Sequence, residues 1–272
     1  LNQAVSTYLS WENNWIPIFG QAPASQIYPV KIFEAGEDST STAIVLDALD
    51  HILSLKRTGA LDIDVVNLSF GGPTGFEGRA ILDVFLEQLK DEQILVVAAA
   101  GNNGPLPNSL ASPASSYATI AVGALDYADT SRVSYEYRGL AESGNPGQGM
   151  VMRPTDELRV ADLSSRGPMS DGRPGPDLVA PGMWSFQFGS QGHFHWDSGT
   201  SYASAAVSGA AALLNAHYEA LTGLDTPWLP LRNSLLLGAD RDIIGAAWQD
   251  PNTAGYGALD AAASLEILNS GD

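Results

Sequence analysis

The sequence predicts an α/β fold of three layers, a mostly parallel twisted sheet with helices on both faces. Three observations predict it. Short apolar runs alternate along the chain with longer amphipathic stretches, the pattern of strands joined by crossover helices. A hydrophobic fraction of 44% against 16% charged residues belongs to a packed globular chain rather than a disordered one. No internal repeat or low-complexity linker divides the 272 residues, so the whole chain, 1–272, reads as one domain.

The elements follow in order. Gln26–Phe33 reads as the first strand, and Thr42–Lys56 as a helix with Ile44, Leu46, Leu49 and Leu53 at helical spacing. Asp64–Phe70 is the next strand. Gly78–Asp91 is a second amphipathic helix, carried by Ile81, Val84, Phe85 and Leu89. Ile94–Ala99 and Ala118–Val122 are further strands. Tyr135–Pro154, rich in Gly, Pro and charge, reads as an inserted surface loop (about 135–154). Asp177–Ala180 is a strand, and Ser201–Tyr218 a long helix rich in small residues, apolar enough to be buried. Pro230–Leu237 and Ala258–Leu268 read as short surface helices.

Charge and composition exclude several functions. A net charge of −18, from 31 acidic and 13 basic residues, would repel nucleic acid and anionic membrane surfaces. It is compatible with bound calcium, which takes oxygen ligands. The absence of cysteine excludes disulfides, zinc-thiolate sites and thiol nucleophiles. The longest apolar run, Ile94–Ala100, is too short to span a membrane. Residues 1–20 lack the basic start and apolar run of a signal peptide. A first residue of Leu1 rather than Met leads us to expect a longer translated product.

Three segments carry candidate chemistry. In Asp197-Ser-Gly-Thr-Ser-Tyr-Ala203, Ser201 follows a glycine turn and opens the long helix. Free N–H groups and the positive dipole end there stabilise developing negative charge. An N-cap serine on a buried helix is the competing reading of these properties alone. The second segment, Val96-Val-Ala-Ala-Ala-Gly-Asn-Asn-Gly-Pro105, is a buried strand breaking into a Gly/Asn turn, whose amide could donate to an oxyanion. Asn-Gly is also an ordinary turn former. The third, Val65-Val-Asn-Leu-Ser-Phe-Gly-Gly-Pro73, ends in an edge able to accept an extended peptide, or simply in a turn.

Taken together and in this order, the segments resemble the subtilisin-like serine peptidases, the subtilases. Gly199-Thr-Ser-Tyr-Ala203 is similar to the family's nucleophile motif, with Tyr202 where Met is usual. Ala99-Ala-Gly-Asn-Asn-Gly104 is similar to its oxyanion-hole motif. Ser69-Phe-Gly-Gly72 resembles the substrate-edge strand. Leu163-Ser-Ser-Arg-Gly-Pro168, with Asp171-Gly-Arg173 and Pro176-Asp-Leu-Val-Ala-Pro-Gly182, resembles the stretch before the nucleophile. Gly20–Lys31 resembles the strand after the histidine helix. The likeness runs from Glu12 to the C-terminus and implies a subtilisin-like fold. It implies Ser201 and Asn102 as catalytic residues. Ser69, Phe70 and Gly71 would pair with substrate, and Ala99, Ala100 and Gly101 would form a wall of the specificity pocket. Ala205 stands where the family usually has proline, a mild departure. We expect a secreted or extracytoplasmic protein acting on a peptide or protein substrate.

The front of the family pattern departs. Members place an Asp and then a His before the position of Gly20, in the order Asp…His…Ser, and residues 1–19 contain neither. The base is therefore expected from a segment upstream of Leu1 or from an N-terminal companion chain carrying Asp and His. The alternative is an inactive pseudopeptidase that binds peptides or a partner. Of the histidines present, His51 reads as a surface pair with Asp47. His217 lies too far along the nucleophile helix, and His193 and His195 read as packing or substrate contacts. The loop Glu12–Ile18 is similar to the family's calcium-binding turn, which implies Glu12, Asn14, Ile16 and Ile18 as ligands. Calcium takes about six to eight oxygens, more than this stretch offers, so an ion-free polar loop competes with that reading.

Overall fold

A computed structural model of the chain describes residues 20–188 and 194–271. Helix α1 (Thr42–Arg57) starts where the Ser41 hydroxyl accepts from Ile44 N at 3.3 Å, giving a first-turn donor the partner its helix lacks. Lys56 and Arg57 occupy its last turn, where unpaired carbonyls favour cations. There follow β1 (Val65–Leu68), α2 (Ile81–Asp91), β2 (Leu95–Ala99), β3 (Thr119–Asp126), α3 (Ala128–Ser143) and α4 (Gln148–Met152). Then come β4 (Arg159–Val160), β5 (Leu178–Pro181), β6 (Ser185–Phe188), β7 (Phe194–Asp197) and the long α5 (Thr200–Thr222). Helices α6 (Trp228–Leu237), α7 (Pro251–Ala254) and α8 (Ala261–Ser270) complete the order.

Three parallel pairings build the main sheet. β1 meets β2 from Val65↔Leu95 to Leu68↔Ala98, and β2 meets β3 from Val96↔Thr119 to Ala99↔Val122. β5 lies parallel to β3, and β4 adds a short antiparallel pair at the end of β3. Along β2 the side chains alternate between faces. Leu95 and Val97 pack with Ala203, Val207 and Ala211 of α5, Leu235 of α6 and Leu268 of α8. Ile94, Val96 and Ala98 pack with Leu49 and Ile52 of α1 and Leu86 and Leu89 of α2. The sheet is thus sandwiched between helices, and each fully buried Leu or Val contributes about 1.5–3 kcal/mol. The alanines of α5 keep that helix close to the sheet and fix where its N-terminus lies.

Two elements differ from the expectation. Gln26–Phe33 forms no strand and joins no ladder. Val30 and Ile32 pack on the α1/α2 side of the core, while Ile27 is 86% exposed. Among the described residues β1 pairs only with β2, so no strand stands between it and this segment to bond either one. Residues 135–154, expected as a loop, are largely helical, within α3 and α4. Two of their charges, on Glu136 and Arg153, are buried with partners, whereas Arg138 and Glu142 stay exposed. The Glu136 carboxylate, 1% exposed, accepts from Gly147 N at 2.8 Å and Gly149 N at 3.0 Å. Arg153 and Arg159 converge on Asp126, at 3.3 and 2.6 Å. Charge buried with a partner reads in sequence like charge in water.

Candidate active site

The carboxyl ends of β1 and β2 face the N-terminus of α5, the crevice where α/β sheets present ligand-binding loops. Ser201 sits in the first turn of α5, behind Gly199, whose backbone is extended. Its hydroxyl donates to Ser69 O, just past β1, at 2.8 Å. Ser69 returns the contact, its own hydroxyl donating to Ser201 O at 2.9 Å and lying 3.0 Å from Ser204 Oγ. Asn67 Nδ2 donates to Ser69 Oγ at 2.7 Å, and Ser208 Oγ to Asn67 Oδ1 at 3.1 Å. A polar seam therefore ties β1 to the nucleophile's helix along two turns.

Asn102 closes the other side. Its Oδ1 accepts from Thr200 N at 2.9 Å and Thr200 Oγ1 at 3.0 Å, while Gly101 N donates to Thr200 Oγ1 at 3.2 Å. With the carbonyl oxygen so engaged, the amide orientation is fixed, and Nδ2 has no acceptor among the described residues. A Cβ built on Gly199 would stand 3.2 Å from that Nδ2 and 3.8 Å from Ser201 N. Two N–H donors, Asn102 Nδ2 and Ser201 N, thus border one small space. Ser165 holds the turn from behind, accepting from Asn103 N at 3.1 Å and donating its own N–H to Gly101 O at 3.0 Å.

The residues named for substrate binding take distinct places. Gly71 is exposed, whereas Phe70 is half-buried and meets Phe33 edge-on with centroids 6.2 Å apart. Ala99 and Ala100 are buried, with Ala100 N donating to Val122 O at 2.9 Å and Ala100 O accepting from Ala111 N at 3.0 Å. Tyr202 donates to Asp197 Oδ2 at 2.7 Å. Burial first, and then the neighbouring Asp197 carboxylate, push its phenol above the usual range, so it stays protonated.

Each described histidine bonds a residue other than Ser201. His51 pairs with Tyr28 OH at 2.9 Å, His195 with the Gln187 amide at 3.2 Å and His217 with Asn269 Oδ1 at 3.2 Å. His193 and the loop bearing Glu12, Asn14, Ile16 and Ile18 lie outside the described residues. Elsewhere Asp62, Asp64 and Asp225 approach within 4.8 Å of one another. Lys56 bonds Asp62 there, and Asp64 is held above the ordinary carboxylate range, first by burial and then by Asp225. Among the described residues no helix is long and apolar enough to cross a membrane. Sequence reasoning missed Thr200 as the residue that orients Asn102, although it lay within the motif. The carboxylate of Asp83, buried beside the neighbouring loops, gave no sequence signal.

Known proteins share this arrangement of segments. The chain is 29% identical over 268 residues to serine protease AprX of Bacillus subtilis (strain 168), covering 90% of this chain and 52% of that one. It is 29% identical over 257 residues to the membrane-bound transcription factor site-1 protease of Homo sapiens, covering 92% of this chain and 20% of the relative. The chain thus spans about half or less of these relatives' lengths. In three dimensions it resembles the patellamide maturation protease PatA, with a TM-score of 0.62 and 24% identity over 89% of this chain and 74% of that one. The profile of the subtilase family, peptidase S8, matches residues 4–257, and the chain belongs to that family.

Proposed function

We propose that this chain forms the nucleophile and oxyanion-hole portion of a serine endopeptidase. The observation that carries this reading is the pinned amide of Asn102. Its Oδ1 is held by Thr200, so its Nδ2 is available as a donor beside Ser201 N. In the proposed reaction Ser201 Oγ bonds to the scissile carbonyl carbon as its proton passes to a histidine base. The two N–H groups hold the resulting oxyanion. The C–N bond then breaks, the leaving nitrogen takes that proton, and water releases the acyl group from Ser201. Ser69–Gly71 would pair with the extended substrate backbone, and Ala99–Gly101 would border its side chain.

The base belongs to a segment upstream of Leu1 or to a companion chain. The outer edge of β1, which pairs with no other described strand, supports this, since a strand added there would reach the Ser201 end of the sheet and pair its backbone groups. The second reading, a peptide-binding domain that does not cleave, draws on the Ser201 hydroxyl donating to Ser69 O rather than to a base. A serine-directed fluorophosphonate separates the two. The full-length protein, with any companion chain, should label at Ser201. Labelling should increase with pH through the histidine range near about 6.5 and then level off. Ser201→Ala should abolish it. Binding of extended peptides without any labelling would establish the non-cleaving reading instead.

A further inference from the structure

The turn that delivers Ser201 rests on a residue in an unfavourable backbone state. Gly199 N donates to Gly182 O at 2.8 Å, and a Cβ built on Gly182 would stand 2.9 Å from Gly199 O. Beside that pair, Trp184 N donates to Ser198 Oγ at 2.9 Å. Residues 182–184 therefore support residues 198–199, just before Ser201. The φ of Trp184 is 54°, in the left-handed region that a bulky side chain rarely adopts. Its indole Nε1 is buried with no hydrogen-bond partner among the described residues. Both features are locally unfavourable, and they persist only where the surroundings impose them.

What imposes them is α3, at the start of the stretch that reads in sequence as a surface insertion. Tyr135 meets the Trp184 ring edge-on, with centroids 5.1 Å apart and planes at 68°. Arg138, three residues on, holds its guanidinium carbon 5.7 Å from the same ring centroid. The helix is itself fixed to the sheet. The Ser131 hydroxyl bonds Asp126, the last residue of β3. Arg132 donates to Arg153 O at 2.8 Å and pairs with Asp156 at 2.6 Å. Next to Asp126, Leu125 O accepts from Gly182 N and Met183 N, both at 3.2 Å. The end of β3 thus anchors both α3 and the segment it presses on.

We propose that α3 braces the nucleophile turn, with Tyr135 and Trp184 as positioning residues for Ser201. This rests on the peptidase reading above and adds to it an element outside the segments that carry the chemistry. Tyr135 and Arg138 keep the Trp184 ring in place, and with it the left-handed backbone. Trp184 N then holds Ser198 while Gly182 O holds Gly199, which keeps Ser201 N beside Asn102 Nδ2. Freed from those ring contacts, residue 184 would relax toward ordinary backbone and disturb its bond to Ser198. A displacement of about 1 Å at the reacting groups lowers the rate by about 10²-fold.

The test uses the full-length protein, with any companion chain, in peptide hydrolysis, fluorophosphonate labelling and thermal melting. Tyr135→Ala should lower kcat about ten- to a hundredfold with KM within about twofold, because substrate still docks while the oxyanion is held less well. The labelling rate should fall in parallel. Tyr135→Phe keeps the ring and should bring kcat back to within about twofold of wild type. Trp184→Gly accepts the left-handed backbone without strain but has no ring for Tyr135 to hold. It should lower kcat as Tyr135→Ala does, and the double variant should be only as slow as the slower single, since both act through one contact. A purely structural role would lower the melting temperature and leave kcat of the folded protein unmoved. Should Tyr135→Ala not fold, Trp184→Gly set against Trp184→Phe, which keeps a ring, carries the test. An unchanged kcat, additive losses, or a raised KM at unchanged kcat overturns the inference. A wild type that labels and cleaves, with Tyr135→Ala equal to it, refutes this inference only. A wild type that neither labels nor cleaves refutes the peptidase reading, and this inference with it.

Discussion

Asn102 does two jobs with two atoms. Oδ1 accepts from Thr200 and steadies the start of α5, while Nδ2 faces the space beside Ser201 N. Asn102→Asp separates them, because the carboxylate keeps the acceptor and removes the donor. A negative charge at a helix N-terminus is also tolerated. We expect Asn102→Asp to melt within a few degrees of wild type yet lose roughly 10²–10³ in kcat. Differential scanning fluorimetry and peptide hydrolysis check the two halves, and a kcat loss below about tenfold would remove Asn102 from the oxyanion hole. Ser201 and Asn102 were legible in the sequence because each lies inside a contiguous run whose neighbours set its backbone. Asp83 was not, since its partners Ser112 and Ser115 lie 29 and 32 residues away. Only the folded chain brings them to it.

At the scale of elements, the periodic signals were legible and the paired charges were not. The helix expected over Thr42–Lys56 spans Thr42–Arg57, and the strand expected over Ile94–Ala99 spans Leu95–Ala99. In both, apolar spacing matches the faces that pack. The segment Gln26–Phe33 has the composition of a strand, but a strand also needs a neighbour, which local sequence cannot supply. In α3 and α4 the error ran the other way. Glycines and charges signal a loop, yet Glu136 uses its charge to receive the N–H groups of Gly147 and Gly149. Glu136→Ala should leave those buried donors without their carboxylate and cost about 1–3 kcal/mol, read as a lower urea midpoint at unchanged slope. A change under about 0.5 kcal/mol would mean that this carboxylate does not hold the α3–α4 junction.

The whole molecule carries a net charge of −18, and several of its cations are already committed. Arg57 pairs with Glu92, Arg132 with Asp156, Arg159 with Asp126 and Arg173 with Asp171, each at 2.6 or 2.7 Å. The remaining carboxylates repel one another, which disfavours the compact state. Two are raised in the fold, Asp64 by burial and then Asp225, and Asp177 by burial against a weaker pull from Arg232. A carboxyl raised above its unfolded value adds stability that is full below the unfolded pKa and is lost as pH rises through the folded one. The protein should therefore melt at a higher temperature near pH 5 than near pH 7. Asp171 does not oppose this: Arg173 and Tyr117 outweigh its burial and lower it, so its effect falls below the same window. Salt should act in the same direction, because at about 0.1 M the screening length is already near 10 Å. Raising NaCl from about 0.02 to 0.5 M should raise the melting temperature at pH 7, and less at pH 5, where part of the repulsion is already protonated away. A four-condition melting series reads both effects together. If stability falls on acidification to pH 5, or if salt lowers it at pH 7, then carboxylate repulsion is not what limits this fold.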